Sequence, residues 1–189
     1  IVLAIMMFCY NATYLTVYSN LALIMKQESI GTATMVGYAM AFMTSSGMCV
    51  GMFFGKLYQK MGNILGAISA AAVCVAFSMM IYADNMFFIA VSLIIMGAGN
   101  SLLVPFGYYH VGKFASKGGS SFSMSIVQAA FSAGSFCSPY IFGNAARLVG
   151  HTSGRFTFIL AVCVLAFGTV CLAFYGVQSR KEQALYKNI

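Results

Sequence analysis

Charge is what this sequence lacks most. Of 189 residues only 7% are charged and 61% are hydrophobic, against about 25% charged in an ordinary soluble domain, so a water-soluble globular fold is excluded. The acidic residues number three, Glu28, Asp84 and Glu182, and none falls inside an apolar run. The spans therefore carry no buried carboxylate of the kind that relays protons. The six cysteines, Cys9, Cys49, Cys74, Cys137, Cys163 and Cys171, show no Cys-x-x-Cys or metal-ligand spacing. A redox or zinc centre is excluded, they read as small packing residues, and no metal or cofactor is expected. No connection is long enough to hold an extramembrane domain, so the net charge of +7 has no folded basic surface on which to bind nucleic acid.

What is present is a succession of apolar runs separated by the few charges. A transmembrane helix needs about 20 apolar residues, and such runs fit residues 1–24, 32–54, 64–83, 86–109, 119–143 and 155–177, here called spans 1 to 6. A β-barrel would need segments of about ten residues alternating polar and apolar. Residues 65–81 do not alternate, so the expected fold is all-α: a polytopic bundle over residues 1–177 in the lipid bilayer, followed by a basic tail over 178–189.

The basic residues sort by connection. Lys56, Lys60, Lys113, Lys117, Arg180, Lys181 and Lys187 fall on one side, and Lys26, Arg147 and Arg155 on the other. Cytoplasmic connections retain Lys and Arg, so both termini are expected in the cytoplasm and the protein in a cell membrane, the plasma membrane being the expected one. Ile1 is not an initiator methionine and no basic leader precedes span 1, so a truncated N-terminus is expected. The polar tail reads as a natural C-terminus.

The polar residues within the spans are few and patterned. Asn11, Tyr14 and Tyr18 recur at three- and four-residue spacing on one face of span 1. Span 4 contains Gly97-Ala-Gly-Asn100-Ser and then Pro105, a combination that loosens a helix, and irregular backbone is tolerated at membrane depth where it is protein-buried or lines water. Span 5 carries a stripe of Ser121, Ser125, Gln128, Ser132 and Ser135. Span 2 carries the small residues Ala33, Gly37, Thr44, Gly47, Gly51 and Gly55, which let another backbone approach. Each polar face has two readings, cavity lining or hydrogen-bonded glue between neighbouring helices. Spans 3 and 6 show only scattered Ser69, Ser78, Thr157 and Thr169, as outer, lipid-facing supports would. His110 and His151 sit at span ends and read as solvated interfacial histidines.

The two halves of the chain resemble each other. Gly55 and Gly62 flank the end of span 2 with Lys60 between them. Gly143 and Gly150 flank the end of span 5 with Arg147 between them, and the same offset nearly carries Asn11 onto Asn100. Three spans reverse the sense of the next three, so this is a 3+3 inverted repeat, as in many secondary transporters.

The stretch Gly55-Lys-Leu-Tyr-Gln59-Lys60-Met-Gly62-Asn63 resembles the Gly-x-x-x-Asp-Arg-x-Gly-Arg loop of the major facilitator superfamily and reads as a tight interfacial turn. Gly55, Lys60 and Gly62 match. Gln59 replaces the family's aspartate and Asn63 a basic residue, so charge-based gating by this loop is not expected. Gly134-Ser-Phe-Cys-Ser-Pro139-Tyr-Ile-Phe-Gly143 and the turn over 150–156 are similar to the end of that family's second half. The resemblance implies the C-terminal six-helix half of a transporter, partnered by a missing N-terminal six-helix half and moving a small-molecule substrate, with a coupling ion as a further candidate partner. It implies that spans 1 and 4 line a central path, giving Asn11, Tyr14, Tyr18, Asn100, Pro105 and Tyr108 as substrate-path residues, with Gln128 beside them. It also implies that spans 2 and 5 meet the other half, so that Gly37, Gly47, Gly51, Ser125, Ser132, Ser135 and Pro139 pack there or within this half.

Two other functions compete. A membrane scaffold or accessory subunit would use the small-residue stripes for assembly alone. An intramembrane protease would use Ser46 before Gly47, but Thr44-Ser-Ser-Gly lacks a rhomboid-type Gly-x-Ser-Gly and no histidine sits mid-span to act as base. An enzyme is not expected.

Overall fold

The computed structural model describes residues 2–115, 119–148 and 154–187; Lys117, Gly150, His151 and the last two residues of the tail lie outside them. The described residues form eight α-helices and no strand: α1 Val2–Tyr14, α2 Thr16–Gln27, α3 Ala33–Gly51, α4 Phe54–Met61, α5 Ile64–Ile81, α6 Met86–Phe114, α7 Ser120–Leu148 and α8 Gly154–Lys187. Three stretches are each long and apolar enough to cross a bilayer, Ile64–Ile81, Met86–Lys113 and Arg155–Phe174, and a fourth results if Thr34–Gly51 and Phe54–Met61, bent by 59°, form one span. Spans 1 and 5 of the sequence reading do not qualify on length and composition. Helix α7 has 29 residues but its serine stripe dilutes its apolar character, and the first run is divided in two.

That division has a local cause. Thr13 Oγ1 donates to Cys9 O at 2.7 Å and Thr16 Oγ1 to Thr13 O at 2.6 Å. Such hydroxyls compete for carbonyls that the helix needs and bend it. Leu15 keeps near-helical angles, φ −73° and ψ −12°, but the next bond, Ser19 N to Leu15 O, is stretched to 3.4 Å. One loosened turn thus separates α1 from α2. Sequence reasoning placed the loosened point in span 4, yet α6 runs unbroken through Pro105, and the interruption falls in span 1.

The Gly55–Asn63 stretch, read as a turn, is instead the helix α4. Phe54, Leu57, Tyr58 and Met61 are half-buried against the bundle, while Gly55, Lys56, Gln59 and Lys60 are exposed, the arrangement of an amphipathic helix with period 3.6. The turn is confined to Gly62, whose φ of 61° and ψ of −140° suit a residue without Cβ. Helix α6 begins on Asn85, whose side chain accepts from Phe88 N at 3.2 Å, an N-cap.

Helix α1 packs on α7, α3 on α6, α2 on α8, and α5 between α6 and α8. Span 3 was expected to be a lipid-facing support, but α5 buries Leu65, Ser69, Val73, Ala76, Phe77 and Met80. Its Phe77 meets Phe158 of α8 edge-on at 5.7 Å. Helix α8 keeps the outer character expected of span 6, with Phe167, Val170 and Phe174 exposed. It also continues as helix through the stretch 178–187 read as a tail. The cysteines divide, Cys9, Cys49, Cys163 and Cys171 being exposed rather than packed inside.

The charges segregate to opposite ends of the bundle. At one end Arg155 Nε donates to Glu28 Oε1 at 2.6 Å and Nη2 bonds Glu28 Oε2; Nη2 also reaches Asp84 Oδ1 at 3.1 Å. The same guanidinium donates to Ile81 O at 2.6 Å and Ala83 O at 3.0 Å, joining the ends of α2 and α5 to the start of α8. At the other end Lys56 and Lys60 on α4 and Lys113 on α6 are exposed.

Candidate functional site

Two backbone seams hold the polar faces in place. A Cβ added at Gly97 would lie 2.0 Å from Met43 O and 2.6 Å from Ser46 Oγ, and one added at Gly134 would lie 2.4 Å from Phe8 O. Only glycine admits these approaches, of α6 to α3 and of α7 to α1. Gly47 and Gly51 belong to the first seam, against Gly97 and Ser101, whereas Gly37 and Gly55 meet nothing within 4 Å. The span 2 stripe therefore splits between packing inside this unit and an open face.

Hydroxyls and amides stitch the same seams. Ser46 Oγ lies 2.9 Å from both Met43 O and Ile94 O, so its single hydroxyl proton, shared between the two carbonyls, ties α3 to α6. Asn11 is 3% exposed, and its Nδ2 donates to Phe131 O at 2.7 Å and to Ser135 Oγ. Ser138, which the sequence reading passed over, donates to Ala12 O at 2.5 Å. Asn11 and Ser135 thus form a clamp between α1 and α7, and the neighbouring Pro139 is exposed.

The remaining polar residues gather on two surfaces. Tyr10, Tyr14 and Tyr18 follow one another along α1 and α2, the first two rings stacked with centroids 5.9 Å apart and the second pair tilted with centroids 6.3 Å apart. Tyr10 Oη donates to Asn100 Oδ1 at 2.7 Å, Tyr14 Oη reaches Met43 Sδ at 3.7 Å, and Tyr18 is 48% exposed. Tyr10 was not singled out from sequence, although its four-residue spacing before Tyr14 continues the series. Asn100, Val104 and Tyr108 follow one another at four-residue spacing and share a face of α6, spanning about 12 Å of helix. At its far end Tyr108 Oη bonds Gln128 Oε1, and Gln128 Nε2 reaches Ser132 Oγ at 3.5 Å. Tyr108, Met124, Ser125, Gln128, Ala129 and Ser132 line an open cleft of about 470 Å³ between α6 and α7. Pro105 lies half-buried on the same helix and cannot donate to Ser101 O.

One expectation is corrected outright. His110 is not a solvated interfacial residue: it is 2% exposed, with Nδ1 at 2.9 Å from Phe106 O and Nε2 at 3.3 Å from Asn63 Oδ1. Among the described residues no group of three or more potential ligands is placed to hold a metal ion.

The cleft carries hydroxyls, an amide and a phenol but no formal charge. Such a surface can hydrogen-bond a small solute within an otherwise apolar molecule. A comparison with curated proteins finds no match to the chain. The family model of the Major Facilitator Superfamily, a family of membrane transporters, matches residues 2–187. With that match spanning nearly the whole chain and its helices apolar enough to cross a bilayer, this integral membrane protein belongs to the Major Facilitator Superfamily.

Proposed function

We propose that this chain is one six-helix half of a secondary transporter that moves a small solute by alternating access, and that it has no enzymatic role. Helices α1–α2, α3–α4, α5, α6, α7 and α8 are its six spans. The observation that carries the reading is the uncharged cleft of Tyr108, Ser125, Gln128 and Ser132, on the face of α6 that also carries Asn100, which accepts from Tyr10. This half offers neutral donors and acceptors; any counter-charge or coupling ion is held by the partner six-helix half, which covers the exposed faces of α3 and α7.

The helix pairings support a 3+3 inverted repeat. Exchanging α1–α2 with α6, α3 with α7 and α5 with α8 turns the α3–α6 packing into α7–α1, leaves α5–α8 unchanged, and turns α5–α6 into α8 with α1–α2; all of these are present. The seams obey the same exchange: Gly47 of α3 against Gly97 of α6 maps onto Gly134 of α7 against Phe8 of α1, each seam joining one three-span repeat to the other. The segregated charges support cytoplasmic termini, with Lys56, Lys60 and Lys113 inside and the Arg155 cluster outside; the membrane proposed is the plasma membrane.

Gln128→Ala or Tyr108→Phe in the full-length protein raises the KM for transport about tenfold, the loss of about 1.4 kcal/mol that one good polar contact supplies, with the amount of folded protein unchanged. Uptake kinetics in proteoliposomes check it; an unchanged KM in both variants would remove the cleft from the substrate path.

A further inference from the structure

Helix α4 carries a charged face that the transport path does not use. Helix α3 has 19 residues and rises about 28 Å, close to the hydrocarbon thickness of about 30 Å. The chain therefore reaches the headgroup level where α3 ends, and there it bends by 59° into α4. A short helix turned this way at that depth leans into the plane of the interface. Its inner face, Phe54, Leu57, Tyr58 and Met61, rests on the bundle, and its outer face carries Lys56, Gln59 and Lys60.

Helix α6 extends this basic patch. The rings of Tyr58 and Tyr109 meet with centroids 4.6 Å apart, and Lys113 follows Tyr109 by one turn on the same face of α6. A third exposed ammonium thus stands on the α4 side of that helix. Tyr109 and Phe53 are half-exposed, and Lys56 Nζ lies 5.9 Å from the Phe53 ring centroid, so ammonium and apolar ring sit side by side as they do at a headgroup boundary. Among the described residues none of the three lysines pairs with a carboxylate. Helices α3, α4, α5 and α6 contain no Asp or Glu, Glu28 and Asp84 pair with Arg155 at the opposite end, and Gln59 stands where the family loop has its aspartate.

We propose that Lys56 and Lys60 of α4, with Lys113 of α6, form a docking surface for the headgroups of anionic phospholipids. Ammoniums gathered without a carboxylate repel one another, and a layer of anionic headgroups at the same depth offsets that repulsion. Each ammonium near such a surface strengthens its hold about fivefold. Anionic lipid takes the place of the carboxylate that Gln59 lacks and holds the α4 end of the α3–α4 span at the headgroup level. That the leaflet concerned is the cytoplasmic one rests on the orientation proposed above; the docking itself does not.

The test places a fluorophore on the single cysteine of Gln59→Cys, in full-length protein without its native cysteines, reconstituted in phosphatidylcholine vesicles. Quenching by phosphatidylserine spin-labelled near the top of its acyl chain is compared with quenching by phosphatidylcholine labelled at the same position. Phosphatidylserine is expected to associate with the site about fivefold more strongly, whereas a fluorophore on Tyr82→Cys, at the opposite end, is quenched alike by both. Lys56→Gln, Lys60→Gln and Lys113→Gln together bring the ratio at position 59 to about one. If that variant does not insert, sodium chloride at about 1 M serves, because a Debye length of about 3 Å screens the ammoniums and lowers the ratio in the same way. Equal quenching at position 59 overturns the proposal and means that neutral lipid or the partner six-helix half covers the lysines. So does a preference undiminished by the lysine substitutions or by salt. Both leaflets of these vesicles hold the same lipids, so the outcome is independent of which way the protein faces.

Discussion

Replacing Gly97 or Gly134 by alanine destabilises the bundle by about 3 kcal/mol or more. Overpacking a tight interior ordinarily costs about 1–3 kcal/mol, because side chains can shift to admit the new atoms. Here the obstructing atoms are main-chain oxygens, Met43 O at 2.0 Å from a Cβ at position 97 and Phe8 O at 2.4 Å from one at 134. A carbonyl fixed in its own helix cannot rotate away, so the helices must separate. That separation also breaks the Ser46 bond to Ile94 O in the first seam and the Ser138 bond to Ala12 O in the second. Gly55 on α4 and Gly168 on the outer helix α8, with nothing within 4 Å, are the internal controls. Alanine there stays within about 0.5 kcal/mol of the parent, as at other surface sites. Unfolding of the purified protein by SDS titration separates the two classes. Equal behaviour of all four would mean that the seams are not as close as described.

Arg155→Ala costs about 2–3 kcal/mol, measured in the same titration. The guanidinium meets Glu28 through two nitrogens, Asp84 through one, and the carbonyls of Ile81 and Ala83. Exposed ion pairs contribute about 0–1 kcal/mol, and the Arg155 side chain is 25% exposed, so the charge pairing alone would give little. The larger share comes from leaving two carbonyls and a partly buried carboxylate without their donor. Arg155→Lys recovers less than half of the loss, since an ammonium cannot reproduce the fork that spans two acceptors. If Arg155→Ala were neutral, the ends of α2, α5 and α8 would be held by packing alone.

The contrast between these two clusters explains what was legible in the sequence. Apolar runs and the distribution of Lys and Arg are one-dimensional signals, so the all-α membrane class and the family likeness could be read directly. Small residues at helical spacing announced a close approach, but not its partner. Gly47 and Gly51 met α6 while Gly37 met nothing, because helix rotation is set by the neighbouring helix. Asn11 and Asn100 occupy similar positions in the proposed repeat and yet differ in use. One is spent on α7 and the other accepts from Tyr10, which depends on pairings between residues some 90 to 124 apart. His110 was misjudged for the same reason. Its place at a helix end suggested solvent, and only the fold of the Gly62 turn brings Asn63 and Tyr58 over it. The broken turn at Leu15 was hidden because two threonines, not a proline, produce it.

The central claim is an oriented set of six spans whose cleft is reached alternately from each side. It is tested most directly by placing single cysteines, in a background without the native six, and labelling them with an impermeant maleimide from one side of sealed membranes at a time. The account predicts that cysteines at Lys60 and Lys113 react only from the cytoplasm, those at Lys26, Tyr82 and Leu148 only from outside, and one at Ser132 from either side. Labelling of Lys60 and Tyr82 positions from the same side, or of the Ser132 position from one side alone, would contradict it.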